Sequence, residues 1–179
     1  KTARSKAASA PARVPLAPGR KDMARWAIRG GIGLVAVLVA AVLFFSLFNP
    51  PTTIYMASES RRLGGVEQEW VDFENVAPVM ARSIVAAEDA NFCLHWGFDM
   101  GEIRRAIDAG GQRGASTISQ QTVKNVYLWQ GRSWPRKALE GVLTPLVETF
   151  WSKRRILEVY MNVAEFGEGV FGVQAAARH

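Results

Sequence analysis

Two adjacent carboxylates, Glu88 and Asp89, end an apolar stretch of the sequence, and an acid in such a place can transfer protons. At about 100° per helical residue, Glu88 falls among the apolar side chains of the stretch, whereas Asp89 falls beside Arg82 on another face. We therefore expect Glu88 to be buried, which suits a general base or acid near neutral pH. Asp89 is expected to be solvated or to cap the helix. The alternative for Glu88 is a structural carboxylate in a buried ion pair.

A second group of polar residues surrounds the start of a predicted helix. Ser116 or Thr117 suits the N-cap of that helix, and the free N–H groups at a helix N-terminus bind anions. Gln121, Lys124 and Asn125 follow within the helix. Hydroxyls, amides and a lysine together suit a phosphate or a sugar. The alternative is a polar helix start that binds no ligand.

A third group combines cations with one acid: Arg132, Arg136, Lys137 and Glu140. Lys137 and Glu140 are three residues apart, and on a helix they would form a surface ion pair worth roughly a few tenths of a kcal/mol. Beside a phosphate the same charges would contribute much more, because charge-assisted hydrogen bonds to phosphate oxygens are strong.

The elements that must position these groups are predicted to be mainly helical. Prolines, caps and apolar periodicity predict helices over 78–91, 100–109 and 153–162, one from Ser116 or Thr117, and one from Pro135. The helix from Pro135 has an apolar face, and opposite it lies a polar stripe formed by Lys137, Glu140, Thr144 and Glu148. Short strands are predicted around Ile54 and Trp70.

The basic character of the chain belongs to its N-terminal tail. Residues 1–29 carry eight Lys or Arg and one acid, a net charge of +7, whereas the whole chain is +6, so residues 30–179 sum to −1. The tail is rich in Ala, Pro and Ser and is predicted to be disordered. A nearly neutral remainder argues against nucleic-acid binding. One cysteine and two histidines argue against a disulfide framework and a Cys/His metal site.

An uncharged apolar run follows the tail. It covers 30–48, which is 19 residues and close to the roughly 20 that cross a bilayer as a helix. A signal peptide is the alternative, but its apolar core is shorter. The basic flank predicts a cytoplasmic N-terminus, with the later residues across the membrane. We thus predict a tail over 1–29, a transmembrane helix over 30–48, a connector over 49–75 and a folded domain over 76–179.

Four motifs occur in order after the apolar run. They are ED-x-x-F-x-x-H-x-G-x-D from Glu88 to Asp99, G-[AG]-S-T-I-x-Q-Q-x-x-K-N from Gly114 to Asn125, R-K-x-x-E from Arg136 to Glu140, and K-x-x-I-L-E-x-Y-[LM]-N from Lys153 to Asn162. In this order, over about residues 66–179, the chain resembles the peptidoglycan glycosyltransferase family. That domain occurs in class A penicillin-binding proteins and in stand-alone monofunctional transglycosylases.

The resemblance implies a reaction and a role for each group. Lipid II, an undecaprenyl-pyrophosphoryl disaccharide-pentapeptide, is polymerised by this family into β-1,4 glycan strands by an inverting displacement that releases undecaprenyl pyrophosphate. Glu88 would be the general base, and Glu140 the second essential glutamate, which holds Lys137 or a divalent cation such as Mg or Mn. The expected pyrophosphate-binding residues are Ser116, Gln121, Lys124, Asn125, Arg132, Arg136 and Lys137. His95 and Asp99 are expected to shape the turn, and no organic cofactor is expected.

The resemblance also implies a setting for the protein. The expected fold is mainly α, with one N-terminal transmembrane helix and a lysozyme-like all-α domain at the outer leaflet of the bacterial inner membrane. Lipid II, the growing glycan chain and membrane lipid are the expected partners, with other cell-wall synthesis or division proteins as further candidates.

Two other functions fit part of the sequence. A lytic transglycosylase or muramidase needs an acid beside a sugar but has no use for a pyrophosphate site, and an anchored assembly protein would need none of the intact acids. The last residues, from Gly172 onward, carry no cap signal, so we expect the domain to continue beyond His179. The short basic tail, the single anchor and the direct entry into the domain favour the monofunctional type, and no S-x-x-K of a transpeptidase occurs in these residues.

Overall fold

The computed structural model describes residues 19–110, 114–131 and 133–179. These residues are mainly helical, which confirms the predicted fold class. They fall into two compact units, divided between Val37 and Leu38, and each is described by itself.

Helix α1 spans Arg20–Leu47 and supplies the described part of the first unit up to Val37. Its segment Lys21–Leu47 has a mean hydropathy of 2.5 and is the one helix in the described ranges that is long and apolar enough to cross a bilayer. Large apolar side chains such as Trp26, Ile32 and Val37 are exposed along it. Such a surface is compatible with lipid rather than with water.

The second unit contains α-helices, a 3-10 turn over Phe73–Asn75 and one small three-stranded sheet. The helices are α2 (Ile54–Leu63), α3 (Pro78–Glu88), α4 (Met100–Asp108), α5 (Ile118–Tyr127), α6 (Trp134–Phe150), α7 (Lys153–Val163) and α8 (Val173–Ala176). The strands are β1 (Glu67–Gln68), β2 (Glu165–Gly167) and β3 (Val170–Phe171), in the order β1-β3-β2, with β1 parallel and β2 antiparallel to β3. The strand predicted around Ile54 is wrong, because Thr53 caps α2 there by accepting from the N–H of Met56 at 3.1 Å.

Helix α5 lies at the centre of the core of this unit. It packs against α6 and α7 and buries Ile118, Val123 and Val126 against side chains such as Val147 and Val159. A helix surrounded in this way holds its polar residues in fixed directions, because the packed core leaves it no freedom to rotate.

Three of the four residues of the polar stripe on α6 are buried rather than solvent-facing, contrary to the predicted amphipathic pattern. Glu140, Thr144 and Glu148 are 2%, 0% and 8% exposed, whereas Val142 is 58% exposed. Each buried carboxylate is paired, as burial of charge requires. Glu148 accepts from Lys153 Nζ at 2.8 Å, and Glu140 is bound by neighbouring cations.

The two adjacent acids are placed opposite to the prediction. Helix α3 ends at Glu88, three residues before the predicted end, and the backbone of Asp89 leaves helical geometry with φ −163° and ψ 74°. The rule of about 100° per helical residue therefore does not apply to Asp89, which lies outside the helix. Its carboxylate turns inward and is 8% exposed, whereas Glu88 is exposed.

The Asp89 carboxylate joins three segments of the chain. One oxygen accepts from the N–H of Ile118, the first residue of α5, at 3.0 Å, and the other lies 2.8 Å from His95 Nε2. Asp99 in turn caps α4 by accepting from the N–H of Glu102 at 2.9 Å. His95 and Asp99 thus have the turn-shaping positions that the sequence suggested.

The free energy of unfolding should depend on this junction. Asp89→Asn keeps the shape but removes the charge and replaces one acceptor oxygen by an NH₂ group, so the junction loses its charge-assisted hydrogen bonds. We expect a loss of about 1–3 kcal/mol, measured by thermal or denaturant unfolding in detergent. Asp108→Asn, at an exposed position, is the control and should change stability by less than about 0.5 kcal/mol. Equal melting of Asp89→Asn and the wild type would contradict this role.

Gly97 should be intolerant of any side chain. Its φ is +84°, and an added Cβ would lie 2.7 Å from Thr144 Cγ2 and 3.1 Å from Glu148 Cγ. Gly97→Ala should therefore destabilise the protein by about 2 kcal/mol or more. Gly141→Ala, in the interior of α6 with no atom within 4 Å of the new Cβ, should instead stabilise it by about 0.5–1 kcal/mol. Opposite signs in unfolding experiments are the expected result.

Candidate active site

Glu88 stands at the edge of an open cleft formed by the end of α3 and the start of α5. The cleft has a volume of about 330 Å³, and its lining includes Glu88, Asp89, Ser116, Thr117 and Gln121. The sequence predicted that Glu88 is buried, but in the structure its side chain is exposed. Within the described ranges one side chain binds its carboxylate directly: Gln121 Nε2 donates to Glu88 Oε2 at 2.9 Å.

The N-terminus of α5 forms the floor of this cleft. Thr117 is the N-cap, and a capping box links it to Gln120: Thr117 Oγ1 accepts from the Gln120 N–H at 3.2 Å, and Gln120 Oε1 accepts from the Thr117 N–H at 3.1 Å. The anion expected at this helix start is the protein's own Asp89, which takes the Ile118 N–H. The N–H groups of Ile118 and Gln120, in the first turn of α5, are therefore already bonded within the protein.

A second cleft, of about 370 Å³, adjoins the first. It is lined by Ser116, Gln120, Gln121, Lys124, Arg136, Lys137 and Glu140. Ser116 and Gln121 line both clefts, so the exposed acid and the cationic group share a wall. The structure thus brings together most of the predicted site residues from α3, α5 and α6.

Glu140 is the counter-ion of the cationic cleft. It accepts from Arg136 at 3.0 Å, from Gln120 Nε2 at 3.2 Å and from Lys137. Arg136 also donates from Nε to the Gly131 carbonyl at 2.8 Å. The buried carboxylate therefore fixes two cations at the mouth of the cleft, while 46% of the Lys137 side chain stays exposed to a ligand.

Lys124 faces the same cleft from α5. Burial lowers the pKa of this lysine, and the nearby charges of Arg136 and Lys137 lower it further, whereas Glu140 and Glu165 act in the opposite direction. Three neighbouring cations repel one another, so an anion in the cleft would relieve that repulsion. The arrangement suits a ligand with several negative oxygens.

Two predicted site residues stand apart from the clefts. Asn125 is 5% exposed and is not among the lining residues of either cleft. Arg132 lies outside the described residues.

Gln120 belongs to the second motif but was not among the expected binding residues, although it joins the cap of α5 to Glu140. The signal was present, because a threonine followed three residues later by glutamine at a helix start is the capping-box pattern.

The atoms around Glu140 can be examined as possible ligands of a divalent cation. Both oxygens of Glu140 already accept from cationic or amide donors, and no second acid lines its cleft among the described residues. This donor set does not suit a divalent cation, which prefers several oxygen ligands. Asp89, His95 and Asp99 do place one ligand atom each within 4.8 Å of one another, but the two acids already accept hydrogen bonds within the protein.

The protein resembles known proteins over most of its length. A model of the Transglycosylase family matches residues 57–179. A protein of Jannaschia sp. (strain CCS1) named biosynthetic peptidoglycan transglycosylase is 60% identical over 157 residues, which cover 88% of this chain and 66% of the relative. Proteins of the same name from Yersinia pseudotuberculosis serotype IB (strain PB1/+) and Yersinia pestis (strain Pestoides F) are 46% and 47% identical, over 90% and 86% of this chain and 72% and 69% of their own lengths.

The chain spans about two thirds of the length of the Jannaschia relative. The matched region contains both clefts and all four motifs on which the sequence resemblance was based. The chain therefore belongs to the transglycosylase family, that of the biosynthetic peptidoglycan transglycosylases it matches.

Proposed function

We propose that the protein is a peptidoglycan glycosyltransferase that polymerises lipid II into β-1,4 glycan strands and releases undecaprenyl pyrophosphate. One observation carries the proposal: an exposed carboxylate and a cationic cleft share a wall formed by Ser116 and Gln121. Transfer from a lipid pyrophosphate needs both, a base for the acceptor hydroxyl and positive charge for the leaving group.

Glu88 takes the proton in this mechanism. The 4-hydroxyl of the acceptor sugar lies in the cleft of Glu88 and loses its proton to the free carboxylate oxygen as it attacks the anomeric carbon of the donor. A single displacement inverts that carbon, from α-pyrophosphate to β-glycoside. The bond that breaks leaves its electron pair on a pyrophosphate oxygen.

The cationic cleft receives that charge. Lys124, Arg136 and Lys137 are the candidates for stabilising the leaving pyrophosphate, with Arg132 added from the family resemblance. Ser116 and Gln121, which line both clefts, are further candidates for hydrogen bonds to the pyrophosphate, and Asn125 is a candidate from the family resemblance alone. Because these groups are held before the reaction, little reorganisation is needed when charge develops.

We propose no organic cofactor for this step, and no part of it is routed through a divalent cation. The lysine and arginine side chains supply the positive charge that a metal ion would otherwise supply. Glu140 acts on the substrate through Arg136 and Lys137, which it holds in place.

The membrane setting is part of the proposal. A lipid-linked substrate is confined to the bilayer, and α1 would keep the enzyme beside it. The basic tail places the N-terminus in the cytoplasm and the catalytic domain on the periplasmic side of the inner membrane. Other cell-wall synthesis or division proteins are the candidate partners there.

A glycan-cleaving enzyme is the principal competing function. It would use an acid in a sugar cleft, but it gives no role to three cations around a buried counter-ion. Purified protein incubated with labelled lipid II distinguishes the two, since formation of polymer supports synthesis. Shortening of preformed glycan without polymer formation would support cleavage instead.

Glu88→Gln should abolish polymerisation while lipid II binding remains measurable. The amide has the same shape but cannot accept the proton, so we expect a loss of at least about 100-fold in kcat. Glu69→Gln, at an exposed ion pair with Arg178, is the control and should keep wild-type turnover. Near-normal turnover of Glu88→Gln would remove Glu88 from the role of base.

Glu140→Gln should impair the enzyme by releasing its two cations. We expect kcat/KM to fall by about 100-fold or more at a temperature where the variant is folded. Glu148→Gln is a matched control, because it also alters a buried, lysine-paired carboxylate of α6 but lies outside the cationic cleft. Equal losses of kcat/KM in the two folded variants would mean that altering any buried carboxylate of α6 has this effect, and would contradict a specific role for Glu140.

A further inference from the structure

Glu88 belongs to a chain of hydrogen bonds that begins in the core. Tyr160 of α7 donates from its hydroxyl to Gln121 Oε1 at 3.4 Å, and Gln121 Nε2 donates to Glu88 Oε2 at 2.9 Å. The three residues come from three different helices, α7, α5 and α3. Only Glu88, at the end of the chain, is exposed.

Chemistry fixes the direction of both bonds. A carboxylate can only accept, so the NH₂ group of Gln121 must face Glu88. The amide oxygen of Gln121 then faces Tyr160, and the tyrosine hydroxyl must be the donor. Tyr160 is 6% exposed, and burial together with the charge of Glu88 raises its pKa, so it remains a donor.

The order of the chain matters because Glu88 is otherwise free to move. An exposed glutamate samples several rotamers, and fixing them costs up to about 2 kcal/mol. Gln121 restrains one carboxylate oxygen and leaves the other for the acceptor hydroxyl. Gln121 can do this only while its own amide keeps one orientation.

We propose that Tyr160 is a positioning residue for the transfer step, acting through Gln121 on Glu88. This inference rests on the proposed role of Glu88 as general base. Without the tyrosine hydroxyl, the Gln121 amide keeps only the contacts of its Nε2, with Glu88 and with the Ser116 carbonyl oxygen at 3.5 Å, so its oxygen is unbound and its orientation is less restrained. The base then spends less time in the productive orientation, so the chemical step slows while substrate binding is unchanged.

Tyr160→Phe tests the proposal by removing one oxygen atom. Polymerisation of labelled lipid II by the purified protein in detergent should show kcat lower by about 5- to 10-fold, with KM within about twofold of wild type. Tyr127→Phe is the matched control. It also removes a buried tyrosine hydroxyl, one without a partner among the described residues, and should keep wild-type kcat.

A double-mutant cycle separates positioning from a merely structural effect. Gln121→Ala alone should lower kcat more than Tyr160→Phe does. Adding Tyr160→Phe to Gln121→Ala should then have no further effect, because Gln121, the residue that links Tyr160 to Glu88 in this relay of hydrogen bonds, is already gone. An additive loss, or wild-type kcat in Tyr160→Phe, would overturn the proposal.

A measurement without substrate separates this inference from the proposed function. The side-chain amide resonances of Gln121, identified by their loss in Gln121→Ala, should shift in Tyr160→Phe and in Glu88→Gln but not in Tyr127→Phe. If they shift while the wild type makes no polymer, the relay stands and the proposed function fails. If polymer forms and the resonances do not move in Tyr160→Phe, the function stands and the relay fails.

Discussion

The candidate site depends on the bonds of the Asp89 carboxylate. By accepting from the first N–H of α5 and binding His95, it fixes the end of α3 against the start of α5. That junction sets the distance between Glu88 and Gln121, which lie on the two helices it joins. Asp89 contacts no cation of the second cleft, yet without it the exposed acid would have no fixed position relative to those charges.

Helix α5 connects the two clefts through its hydrogen bonds. Its cap residue bonds to Gln120, and the amide of Gln120 reaches Glu140 on α6, which holds Arg136 and Lys137. Two adjacent residues of one helix therefore contact the two carboxylates: Gln121 binds Glu88, and Gln120 binds Glu140. Packing of α5 among α6 and α7 keeps both contacts fixed, because a well-packed helix cannot turn to favour one cleft over the other.

The sequence was sufficient for the helical class, for most helix starts and for the identity of the residues that meet in the clefts. The prediction was wrong where the spacing of about 100° per helical residue was extended beyond Glu88, the last residue of α3. Glu88 and Asp89 exchanged their predicted environments because the backbone leaves helical geometry at Asp89. It also failed on Glu140 and Glu148, whose burial depends on partners from other segments of the chain, including Gln120 and Lys153, that no periodicity along α6 can reveal.

The contacts of the two glutamates explain why one can act as a base and the other as a counter-ion. Glu140 is 2% exposed, and both of its oxygens accept from donors within the protein, two of them cations, so its negative charge is already balanced by Arg136 and Lys137. Among the described residues, Glu88 has one donor, Gln121, on Oε2, and its side chain lines the open cleft. In the proposed mechanism, this difference in donors is what separates the role of Glu88 from that of Glu140, and the mechanism does not need a buried Glu88.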